Sequence, residues 1–206
     1  MINGLTYDVV KASYDAKGYR FFDDGAYNIN IGFIRESDEF TNGLTDTGFI
    51  AYRDEKGEKR LFSAPATTKA GFSDAIFKPK AVAGVVGVAV LVPGQYAGTW
   101  QFVDSYVGWL QYPYFQQIKD ITVYRDFNGD KHIDKVQPQK GKFGVNIHRM
   151  GNVGMLTKYL GNWSEGCLGY EEPNLKMALP IIRESVKRYG NIFTGTLLEK
   201  ADIKII

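Results

Sequence analysis

The single cysteine of the chain, Cys167, lies in Trp163-Ser164-Glu165-Gly166-Cys167, nineteen residues after His148, which is one of only two histidines. A thiol with an imidazole partner can attack a carbonyl. The imidazole takes the thiol proton, the sulfur adds to carbon, and the acyl group is carried as a thioester. Such chemistry also needs donors aimed at the oxyanion that forms on attack. Gly166 permits a tight turn, and the backbone N–H groups of Glu165, Gly166 and Cys167 can converge on that developing charge. A nucleophilic role further expects the thiol to titrate below its ordinary range. As a residue type, a solitary cysteine is also a small buried hydrophobe. The residues alone leave packing and catalysis both open. With one cysteine the chain has neither an internal disulfide nor a multi-cysteine metal site.

A second constellation is Asp126-Phe127-Asn128-Gly129-Asp130-Lys131-His132-Ile133-Asp134. Asp126, Asn128, Asp130 and Asp134 put oxygen side chains at positions 1, 3, 5 and 9 of a calcium-loop pattern, a spacing that suits a hard cation. Glycine falls at position 4 rather than 6, and position 12 is Gln137 rather than a bidentate acid. Runs of Asp, Asn and Gly are also ordinary turn chemistry. A structural calcium at 126–134 and a plain hairpin loop both fit, and no other cofactor is required. The aromatic stretch from Tyr96 to Tyr114, with Trp100 and Trp109, could stack on sugar rings or alternate within a sheet core. Trp163, beside the cysteine, is the better candidate for lining a substrate groove.

These residues need elements to position them. Thr6 to Lys17 carries Val9, Val10 and Tyr14 at helical spacing, with Thr6 as a cap and Gly18 as a stop. From Tyr19 the pattern turns to short apolar or alternating runs, Tyr27 to Ile34, Gly48 to Tyr52, Lys59 to Ser63 and Ala81 to Val92, separated by Gly, Asp, Asn and Pro. Lys56-Gly57 reads as a hairpin turn. Asp120 to Arg125 and Phe143 to His148 read as strands, the second ending on the histidine. Pro173 to Tyr189 reads as a helix that Pro180 kinks or divides, and Phe193 to Leu198 as a last strand. No repeat or linker divides the chain, so the expectation is one α+β, mainly β, domain over 1–206. It has a helical lead-in over 1–24 and the catalytic motif region over 120–198.

Composition narrows the function class. The 206 residues are 44% hydrophobic and carry a net charge of +2 without basic blocks, which excludes a disordered chain and argues against nucleic acid as partner. The longest apolar stretch, Ala81 to Val92, holds two glycines and is too short to span a bilayer, so no membrane partner is expected. Met1 to Asp24 lacks the basic and apolar regions of a secretory signal.

Phe143-Gly-Val-Asn-Ile-His148, followed by Trp163-Ser-Glu-Gly-Cys167, resembles the active-site motif of the L,D-transpeptidase catalytic domain family. The resemblance extends to phage and bacterial members of the same kind through Tyr27-Asn-Ile-Asn30, Thr67-Thr68, Pro93-Gly-Gln-Tyr96, Val123-Tyr-Arg-Asp126 and Gly144-Val-Asn-Ile-His-Arg149. It implies a mixed β-sheet sandwich with a short N-terminal helix and a helix after the catalytic cysteine. It also implies a thiolate acting on the stem peptides of bacterial peptidoglycan, in transfer to an amine or to water. On that likeness Cys167 is the nucleophile and His148 the base, with the backbone N–H groups of Gly166 and Cys167 holding the oxyanion. The carbonyl of Arg149 orients the imidazole, Ser164 shapes the turn, and Trp163, Asn146 and Glu165 face substrate or solvent beside it. Many members have His where this chain has Glu165 and Arg where it has Gly169, the arginine being the group for a substrate carboxylate. Papain-type peptidases have the cysteine before the histidine, the reverse of the order here. The missing export signal leads to the expectation of a phage lytic or virion-associated protein, made in the cytoplasm and acting on the cell wall, with other virion proteins as partners. A fold that has lost turnover and serves as a virion structural or wall-binding protein is the alternative.

Overall fold

The computed structural model describes residues 2–72, 87–107, 110–126 and 128–204. Trp109, Phe127 and the first half of the expected strand at Ala81 to Val92 lie outside the described residues. Among them, the chain opens with helix α1 (Tyr7–Ala16). Thr6 Oγ1 accepts the Val9 N–H at 3.2 Å, and Gly18 ends the turn at a φ of +67°. The buried face of α1, Tyr7, Val10 and Tyr14, packs with Ile34, Phe49, Ala51 and Leu198.

Strands β1 (Asn30–Arg35), β2 (Asp46–Arg53) and β3 (Lys59–Thr67) form an antiparallel run, with the β2–β3 turn at Lys56-Gly57 and Gly57 at a φ of +76°. Further on come β4 (Ala89–Leu91), β5 (Gly94–Val103), β6 (Tyr114–Gln117), β7 (Ile121–Arg125), β8 (Gln139–Gly141), β9 (Ile147–Met150), β10 (Leu168–Glu171), helix α2 (Glu172–Tyr189) and β11 (Ile192–Glu199). The fold is α+β and mainly β. The expected two-sheet sandwich gives way to a closed barrel in the order β1-β11-β5-β6-β9-β10-β3-β2, beside a small sheet β4-β7-β8. Closure follows from β1, which pairs β2 on one side and β11 in parallel on the other, so the large sheet keeps no free edge.

Phe33, Trp100, Phe102, Phe115, Ile147, Leu168 and Tyr170 fill one core with Leu175, Ala178, Leu179 and Ile182 of α2. Gly195 lacks a side chain because the Trp100 ring lies against it. Trp100 is thus a core residue, 1% exposed, and its indole N–H donates to the Val145 carbonyl at 2.9 Å, so its face is not open to a sugar.

Two local expectations change. Helix α2 runs unbroken through Pro180, which lies on its exposed side, where the carbonyl that loses its partner faces water. The strand expected over Phe143 to His148 begins only at Ile147, so His148 is its second residue rather than its end. Residues 142–146 are instead tied down by one side chain: Gln117 Oε1 accepts the N–H groups of Phe143 and Val145 at 3.1 and 3.0 Å. No helix among the described residues is long and apolar enough to cross a membrane.

Candidate active site

Cys167 stands one residue before β10, and β10 runs parallel to β9 with Leu168 beside Ile147 and Gly169 beside His148. The Leu168 N–H donates to the Asn146 carbonyl at 2.9 Å, which carries the ladder back to the cysteine. Side chains two apart on a strand share a face. Cys167 therefore lies on the face of Gly169 and His148, opposite to Ile147, Leu168 and Tyr170, which enter the core. Carried back past the start of β10, the parallel register sets Cys167 diagonally across from His148, two residues before the Gly169 that stands beside it.

A main-chain carbonyl orients the imidazole. His148 is 3% exposed, and its Nδ1 lies 2.7 Å from the Arg149 carbonyl. A carbonyl only accepts, so Nδ1 carries the proton, and in the neutral ring Nε2 is the basic atom. Burial pushes His148 below its usual pKa, with the Arg149 charge acting the same way and the carbonyl bond against it. The thiol donates to the Gly144 carbonyl at 3.5 Å. Burial pushes Cys167 upward, the backbone N–H of Asn146 opposes that, and the charge of Glu165 adds to it. The expected depressed thiol is thus reversed. His148 is buried and Cys167 half-buried, and low polarity around them favours their neutral forms over a thiolate–imidazolium pair.

The turn before the cysteine is built on Ser164, 1% exposed, whose Oγ lies 3.1 Å from the Lys69 carbonyl and 2.9 Å from that of Cys167. Its carbonyl accepts the Gly71 N–H at 2.8 Å. The Gly166 N–H, expected to help hold an oxyanion, donates to Ser164 Oγ at 3.2 Å and is committed to the turn. Gly166 has a φ of +126°, and a Cβ there would strike the Ala89 carbonyl, so only glycine fits. Glu165 is exposed.

No family model, curated protein or solved structure matches the chain. Its chemistry therefore rests on its own residues. Asn146, expected to face substrate, instead accepts the Gln117 N–H on Oδ1 at 2.9 Å and joins β6 to β9. Trp163 is half-buried, with the Arg149 guanidinium 4.9 Å from its ring centre and 5.5 Å from that of Tyr112. One face of the indole is taken by a cation rather than open to a ligand. A Cβ at Gly169 would meet the His148 carbonyl and the Met150 side chain, so no arginine can stand there.

Sequence reasoning missed the polar layer beneath the turn. Lys69 and Asp46, 2% and 0% exposed in their side chains, pair at 3.3 Å. Asp46 Oδ2 also accepts the Thr68 N–H and hydroxyl at 2.9 and 2.7 Å, and Arg35 reaches the Thr68 hydroxyl and the Leu91 carbonyl. Thr67-Thr68 was visible only as part of a resemblance; nothing in its spacing points to a site about a hundred residues further on.

In the acidic loop, Asp126 is 1% exposed; its Oδ1 accepts the Gly129 N–H at 2.9 Å and its Oδ2 has no hydrogen-bond partner. Asn128 Oδ1 accepts the Asp130 N–H, and Asp130 Oδ1 the His132 N–H, both at 2.8 Å. Burial raises the Asp126 carboxyl above its usual range, and the charges of Asp134 and Asp130 add to the rise. Among the described residues no three His, Cys, Asp or Glu side chains converge as a metal site.

Proposed function

We propose that the chain is a peptidoglycan-directed cysteine enzyme of the L,D-transpeptidase type, which cleaves or exchanges a stem-peptide bond through a Cys167 thioester. The observation that carries this reading is the placement of His148 and Cys167 on one sheet face, with Nδ1 held by the Arg149 carbonyl so that Nε2 is the base. On substrate binding Nε2 takes the thiol proton as sulfur attacks the peptide carbonyl. The imidazolium then returns that proton to the departing amine. Water or an amine resolves the thioester, with His148 again the base. The Cys167 N–H is the backbone donor left for the oxyanion, since that of Gly166 serves the turn. A neutral resting pair suits this route, because proton transfer is coupled to attack rather than completed beforehand.

The same proposal assigns the chain to phage-type proteins that act on the cell wall, with peptidoglycan stem peptides as substrate and other virion proteins as neighbours. It gives the 126–134 loop a structural Ca²⁺. The second reading, a wall-binding or virion structural protein without turnover, is favoured by Gly169 in place of arginine and by the raised thiol. Incubating the chain with purified sacculi and resolving the muropeptides by mass spectrometry separates them. New cross-links or trimmed stems, absent with Cys167→Ala, support the enzyme; an unchanged profile with both proteins overturns it.

A further inference from the structure

The acidic loop contains a buried carboxylate oxygen with nothing to bond. Asp126 is turned into its own loop by the Gly129 N–H, which occupies Oδ1, and Oδ2 stays unpartnered inside. An unpaired buried carboxylate oxygen costs stability unless a cation or donor meets it. The rest of the loop carries further oxygens, which among the described residues do not converge without an ion. Asn128 and Asp130 each use Oδ1 on a backbone N–H two residues ahead, and Asp130 Oδ2 accepts the Asn128 side-chain N–H at 3.0 Å, a bond that a cation would displace. The bridge between Glu39 and His132 uses the Lys131 carbonyl and the Ile133 N–H, and neither bond takes the carbonyl of His132, the seventh position. Lys131, at the sixth position, has a φ of +69°, the conformation that calcium loops obtain there with glycine. The missing glycine is thus supplied by a strained lysine. The donor set combines carboxylates with an amide and a main-chain carbonyl, the hard-oxygen mixture that Ca²⁺ takes.

This loop also abuts the cysteine turn. Gly87 lies against the Asp126 carbonyl, and the Asp126 N–H reaches the Val88 carbonyl at 3.4 Å. Arg125 pairs with Ala89 across β7 and β4, and the Ala89 carbonyl in turn sits against Gly166. We infer that the Asp126–Asp134 loop binds one Ca²⁺ and that its occupancy, through β4, holds the turn that presents Cys167. The inference does not depend on peptidoglycan as substrate, because thiol reactivity reads the coupling directly.

The full chain is stripped with a chelator, titrated calorimetrically with Ca²⁺ and, separately, Mg²⁺, and its Cys167 alkylation by iodoacetamide is timed in each state. One Ca²⁺ per chain is expected. Without a bidentate acid at Gln137 the affinity should fall at about 10⁻⁴–10⁻³ M, the range of extracellular modules. Mg²⁺ should bind about tenfold more weakly or not at all. Saturating Ca²⁺ should slow alkylation about threefold, because the turn opens less often. Asp130 is exposed, so D130N should melt like the wild type in chelator while binding Ca²⁺ about tenfold more weakly. Absence of Ca²⁺ uptake, or unaltered uptake by D130N, overturns the site. Uptake with equal alkylation rates in Ca²⁺ and chelator overturns the coupling. Loss of sacculus activity alone bears on the proposed function and leaves both untouched.

Discussion

Gly169 lies directly beside His148 on the β9–β10 ladder, and the room a side chain would need at that rung is filled by the His148 carbonyl and Met150. An arginine introduced there should therefore not create a site for a substrate carboxylate. Gly169→Ala should cost about 1–3 kcal/mol in a urea titration, and Gly169→Arg more, since the obstruction is partly main chain. A Gly169→Arg protein as stable as the wild type would contradict this packing.

The neutral thiol–imidazole pair has a kinetic signature. Because burial raises Cys167, alkylation at pH 7 should be slower than that of a free cysteine. It should climb as the pH passes above the ordinary thiol range. Glu165→Gln removes a charge that adds to the rise of the thiol and should speed alkylation at pH 7 by about twofold at low salt, an exposed charge being screened. Equal rates for the variant and the wild type at low salt would remove Glu165 from the account.

Buried His148 also sets an acid limit on stability. Its folded pKa lies below the unfolded value, so the unfolded chain binds the proton more readily. This contribution is present above the unfolded histidine value, about 6.5, and is lost as the pH falls from there through the lower folded value. Cys167 has the opposite sign: its contribution is present below the unfolded thiol value and lost as pH rises through the raised folded one. His148→Gln should flatten the drop in melting temperature between pH 7 and pH 5, whereas Cys167→Ser should leave that drop in place.

What was legible in the sequence was local. Thr6 and Gly18 mark their helix and Gly57 its hairpin, because each signal lies within a turn or two of what it specifies, whereas the strand that follows Cys167 has no such signal. Barrel closure depends on β1 meeting β11, and no local pattern encodes that meeting. Gly166 looked free to bind an anion because its partner, Ser164 Oγ, could equally have pointed outward; the Lys69 carbonyl, 95 residues away in sequence, turns it inward. Desolvation of the thiol was hidden for the same reason. The covering residues, Gly144 and the Asn146 backbone, are placed by Gln117 on another strand.

That clamp is testable apart from the chemistry. Gln117 is 7% exposed, and its amide nitrogen donates to the Lys119 carbonyl at 2.8 Å while its oxygen holds Phe143 and Val145. Gln117→Ala strands the buried Val145 N–H and the part-buried Phe143 N–H and should cost about 1–3 kcal/mol. It should also loosen Gly144, so alkylation of Cys167 should quicken in Gln117→Ala even where the fold persists. A destabilised variant with wild-type alkylation would separate the clamp from the site.

The buried pair beneath the turn gives the last expectation. Lys69 and Asp46 face each other at 3.3 Å with almost no solvent, and the Lys69 ammonium also donates to the Ser37 carbonyl at 2.8 Å. Asp46 also faces the buried Arg35, so removing Asp46 strands two cations, a loss of about 3–5 kcal/mol, and removing Lys69 with it strands only one. Asp46→Asn alone should therefore unfold at markedly lower urea, and Lys69→Met with Asp46→Asn should recover part of the loss. The Lys69 carbonyl that takes the Ser164 hydroxyl belongs to the main chain and survives both changes. If the double variant regains stability, its Cys167 alkylation rate should return to that of the wild type, because the turn hangs on the backbone of residue 69 and not on its charge. Recovered stability with a still altered thiol would mean that the buried charges themselves shape the site.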